Sequence, residues 1–70
     1  MTLLDTSDKI AIIDQHLKNL EYSKYNIEIS LVEENAVTSP DSEAISALNE
    51  RLTQVGLKIS ALNAEKASLS

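Results

Sequence analysis

The chain has 70 residues, no cysteine, one histidine, and six lysines and arginines against eleven acids, for a formal charge of −5. This composition excludes disulfides and thiolate metal sites and leaves His16 without the partners of a usual zinc site. It also disfavours nucleic acid, whose condensed counterions are displaced by lysine and arginine, and an anionic membrane surface.

Seventy residues allow one small domain, taken as residues 1–70. Scaffolds of this size commonly lean on disulfides, a metal or self-association. With the first two absent, support from a second copy or from another protein is expected. Hydrophobic content is 43% but aromatic content is 3%, namely Tyr22 and Tyr25, with one glycine, Gly56, and one proline, Pro40. Few breakers and few aromatics favour long helices over sheet.

The N-terminal segment MTLLDTSDK has acids where a secretory signal carries basic residues. No apolar run approaches the ~18 residues of a membrane span. The sequence therefore reads as a complete cytoplasmic protein. Helix 1 is expected from about residue 3 to 35. Its apolar residues alternate steps of three and four. With Ile10 at position a of a heptad, the a series is Leu3, Ile10, Leu17, Lys24 and Leu31, and the d series is Thr6, Ile13, Leu20, Ile27 and Glu34. Such a seam, repeating every 3.5 residues, is that of a coiled coil. Residues 25–34, YNIEISLVEE, also alternate as a strand does, with Ile27, Ile29 and Leu31 on one side. The seam runs through this stretch, so helix is the expected state, with Ile29 off the seam.

A turn is expected at about 35–39, with Asn35 ending helix 1. Helix 2 is expected over about 40–68, with Ser39 as N-cap, Pro40 in the first position, and Asp41 and Glu43 facing the positive end of the dipole. Its a series is Ile45, Leu52, Ile59 and Lys66, and its d series Leu48, Val55, Leu62 and Leu69. The fold class is all-α: an antiparallel, coiled-coil-like two-helix hairpin, dimerising into a four-helix assembly. One register sets Ile10 against Leu62, Ile13 against Ile59, Leu17 against Val55, Leu20 against Leu52 and Leu3 against Leu69. A slip of one heptad gives a second set.

A hairpin buries one stripe on each helix, and helix 1 carries two. Tyr22, Tyr25, Ile29, Val32 and Ala36 recur at steps of three and four on positions f and b, opposite the seam. An exposed apolar stripe of this length marks a contact site. It is the expected oligomer or partner interface. Helix 2 has a weaker outer stripe of Ala47, Leu57, Ala61 and Ala64. Asp14, Glu21 and Glu28 recur on position e as an acidic edge. This edge faces Asn49, Gly56 and Asn63, none of them basic, so it is not neutralised within the hairpin, with only Lys18, Lys24 and Arg51 softening it locally. It reads first as a solvated face and second as a docking edge for a basic partner. Carboxylates seven residues apart stand roughly 10 Å apart along a helix, too far to share a metal. Lys24 and Lys66 occupy the seam with stems packed and ammonium groups reaching outward. Gly56 fits a close approach of helix 1, a bend or a tolerated weak spot. His16, at a flanking g position, lies within range of Lys58 or Glu65.

No phosphate-binding glycine loop, nucleophile elbow, zinc helix or calcium loop is present. No catalytic residue, cofactor, metal, small-molecule substrate, nucleic acid or membrane partner is expected. The expected function is that of a small acidic non-catalytic interaction protein. It acts through itself, as a homodimer or higher, and through another protein. The alternative is a subunit or chaperone-like component that folds fully only with its partner.

Overall fold

The computed structural model describes residues 3–69, which form two helices, α1 over Thr6–Asn35 and α2 over Ser42–Leu69. They pack against each other as a hairpin, and the chain measures 58 × 19 × 15 Å. Among the described residues there is no strand. The alternating stretch 25–34 is helical, and its Ile27 is the most buried side chain, at 4% exposure.

Both helices start later than the sequence predicted, and in each case an aspartate sets the boundary. Asp5 caps α1: the Asp8 backbone N–H donates to Asp5 Oδ1 at 2.8 Å, and the Asp5 N–H donates to Asp8 Oδ2 at 3.4 Å. This reciprocal box satisfies donors that the first helical turn leaves unpaired. Helix 1 thus begins at Thr6 rather than near residue 3, and Leu3 and Leu4 stay outside it, exposed. Helix 2 begins at Ser42 rather than at Pro40. Asp41 Oδ1 accepts from the N–H groups of Glu43 at 3.0 Å and Ala44 at 3.3 Å. A carboxylate at that position combines a cap with a favourable charge at the dipole, which the Ser39 hydroxyl cannot match. Asn35 ends α1, its side-chain amide donating to the Leu31 carbonyl at 2.8 Å.

Burial follows the seam. Ile10, Ile13, Leu17, Leu20 and Leu31 on α1 are half-buried, as are Ile45, Leu48, Leu52, Val55, Ile59, Leu62 and Leu69 on α2. Thr6 and Lys24 are the exposed seam positions within α1.

The register is the slipped one. Lys66 Nζ lies 2.7 Å from Asp14 Oδ1, which sets Lys66 level with Ile13. Ile13 also shares a hollow with Glu65 and Leu69. Successive heptads then bring Leu17 level with Leu62, Leu20 with Ile59, Ile27 with Leu52 and Leu31 with Leu48. The first set of pairs, including Leu3 with Leu69, does not form. The reason lies in the turn. Packed helix axes stand roughly 8–10 Å apart, so the connection needs several residues. Here residues 36–41 supply it. The first register centres the fold-back on residue 36, at the very end of α1, and leaves nothing to span the gap.

Candidate protein interface

The outer stripe of α1 follows from the same periodicity that builds the seam. With a and d turned toward α2, b and f point away from it. Tyr22, Tyr25 and Val32 are 61%, 65% and 64% exposed, and Ile29 is 39% exposed. Ala36 is exposed too, but it is the C-cap of α1, its N–H donating to the Glu33 carbonyl, so the helical stripe ends at Val32. Side chains that bond back to the helix line its c and g flank. The Asn26 amide donates to the Tyr22 carbonyl at 3.0 Å, and the Ser30 hydroxyl to the Asn26 carbonyl at 3.0 Å. These bonds hold polar groups against the backbone beside the apolar residues.

Leu57, on the outer stripe of α2, is 60% exposed. The structure adds one apolar residue that neither stripe contained. Ile12, at 44%, joins Leu4 and Ile13 around a hollow of about 320 Å³ at the open end of the hairpin. Position c for Ile12 lay outside the two stripes read from the sequence. Its steps of three and four to Lys9, His16 and Gln15 land on polar residues, so periodicity gave no signal for it.

The acidic edge is partly neutralised within the chain, against expectation. Lys66, from a seam position, reaches across to Asp14, and both side chains remain about half exposed. An ion pair this open to solvent contributes little stability. Glu21 and Glu28 have no ion-pair partner among the described residues, and Glu28 is half-buried. Arg51 does not soften this edge. It lies with Lys58, Ser23, Ile27 and Val55 around a groove of about 480 Å³ on the other side of the hairpin. His16 is exposed and makes no hydrogen bond or ion pair with Lys58 or Glu65. Gly56 has open space where a side chain would project, so α1 makes no close approach there.

No family model, curated protein or solved structure matches this chain.

No group of three histidine or acidic side chains stands close enough to hold a metal among the described residues. No described helix is long and apolar enough to cross a membrane. What the arrangement offers is two unlike long faces: an apolar one on α1 edged by Glu21 and Glu28, and a thinner one on α2 edged by Arg51 and Lys58.

Proposed function

We propose that this protein is a small acidic, non-catalytic interaction module that self-associates through the Tyr22–Val32 face of α1 and presents its remaining helical surface to another protein. In this reading the joint between two hairpins is a four-helix assembly, and the role is that of an assembly factor, adaptor or inhibitor. The observation that carries it is the pairing of one buried side chain, Ile27, with an outward stripe in which both tyrosines and Val32 are more than 60% exposed. A soluble chain with so small an interior and so long an apolar flank gains stability by covering that flank.

Size-exclusion chromatography with light scattering tests this. At tens of micromolar, the wild-type chain is expected to elute as an assembly, and Tyr25→Glu or Ile29→Glu as single chains of unchanged helicity. A wild-type mass of one chain with full helicity overturns the proposal. The same sparse interior favours one alternative, a subunit that completes its fold only on a different protein. That reading predicts a wild-type chain of low helicity when alone.

A further inference from the structure

We infer that the α1 stripe docks on the outer face of α2 of a second copy, the two helices running parallel, with Glu21 and Glu28 of one chain opposite Arg51 and Lys58 of the other. The inference rests on the self-association proposed above and specifies its geometry.

Asp14 already has Lys66, but Glu21, Glu28, Arg51 and Lys58 make no ion pair among the described residues. The two acids are seven residues apart on α1 and the two bases seven apart on α2. They cannot meet within one chain. The Asp14–Lys66 pair marks the side of the hairpin that carries position e of α1, whereas Arg51 and Lys58 line the groove on the opposite side with Ser23 and Ile27.

Around a helix the heptad positions follow in the order a, e, b, f, c, g, d. The α1 stripe, centred on b and f, has the acidic e row along one border. The α2 stripe, centred on f and c, has along its opposite border the g row, which holds Arg51 and Lys58 and, a heptad further on, Glu65. When two such faces meet with the helices parallel, e of one chain comes to g of the other, the relation that sets partner choice in coiled coils. Placing Glu21 opposite Arg51 brings Glu28 to Lys58 with no further adjustment. The same alignment lays Leu57 between Tyr25 and Ile29, and Ala61 between Ile29 and Val32. Leu57 packs on nothing that covers it within the chain, being 60% exposed.

Pairing two α1 stripes is the competing geometry, and charge disfavours it. Antiparallel, it sets Glu21 and Glu28 against the same residues of the partner copy. Parallel, it sets them against the row of Asn19, Asn26 and Glu33, which holds no cation. Because the docking faces are unlike, the contact is head-to-tail. Each pair keeps one face of each kind free, and association proceeds beyond two chains until a ring closes or a filament grows.

Sedimentation velocity on the full chain at low salt tests this, with circular dichroism confirming that every variant is helical. The wild type is expected to form species larger than two copies. Glu21→Lys with Glu28→Lys, and separately Arg51→Glu with Lys58→Glu, are each expected to raise the concentration of half-association at least about tenfold. The first pair lowers the net negative charge, so its loss of association is not general self-repulsion. A chain carrying all four changes, with the wild-type net charge, is expected to recover association. Wild-type assembly that survives either pair of reversals, or no recovery in the fourfold variant, overturns this inference and leaves self-association standing. A helical, monomeric wild type overturns both.

Discussion

Asp41 decides where α2 begins, and removing its carboxylate has a defined cost. Its carboxylate holds the N–H groups of Glu43 and Ala44, which otherwise lack partners at the helix start. Asp41→Ala is expected to lower stability by about 1 kcal/mol, the usual cost of a lost cap. Ser39→Ala is expected to change it by no more than a few tenths. Urea unfolding followed by circular dichroism separates the two positions, and an equal loss from Ser39→Ala would restore the serine as the cap. Gly56 makes the opposite case. Nothing occupies the space its side chain would fill, and its backbone is ordinary helix. Gly56→Ala is therefore expected to stabilise by roughly 0.5–1 kcal/mol, since alanine costs the helix less entropy. A loss of stability would reveal a contact made only in the assembled state. At this scale the sequence was partly legible. Position f or b predicted exposure for Tyr22, Tyr25, Ile29 and Val32. The caps were misplaced because serine before proline and aspartate after it are both good helix starts, and only the path of the loop chooses between them.

At the scale of the elements, the seam was legible because a 3.5-residue repeat admits one buried face per helix, and each apolar seam residue from Ile10 to Leu69 is at least half-buried. The same repeat makes the register ambiguous. Sliding one helix by seven residues replaces every apolar neighbour by another apolar neighbour, so side-chain chemistry alone scarcely distinguishes the two sets. What distinguishes them is where the chain can turn, and that depends on caps the periodicity does not encode. The chain has no cysteine, which makes the register easy to probe. Leu17→Cys with Leu62→Cys is expected to cross-link through a short bis-maleimide, and Leu17→Cys with Val55→Cys is not. Efficient coupling in the second pair alone would return the hairpin to the unslipped register. The Lys66–Asp14 pair, formed only in the slipped register, reports the alignment more than it enforces it, because both partners are half in water.

The whole molecule is a rod 58 Å long and 15–19 Å across, one helix thick in one direction and two in the other. Such a shape has almost no interior, and Ile27 is its only buried residue among those described. The sequence shows only the second stripe on α1, which calls for a cover without naming it. The cover we propose is a second copy, because acids and bases that do not meet within one chain match between two. In the proposed assembly folding and association are linked, since a contact made only by the folded chain stabilises it by mass action. The most direct measurement is the thermal midpoint, followed by circular dichroism, over a hundredfold range of chain concentration. The midpoint is expected to climb steadily with concentration in the wild type and to stay flat in Tyr25→Glu. A wild-type midpoint that does not move with concentration would contradict the proposed assembly.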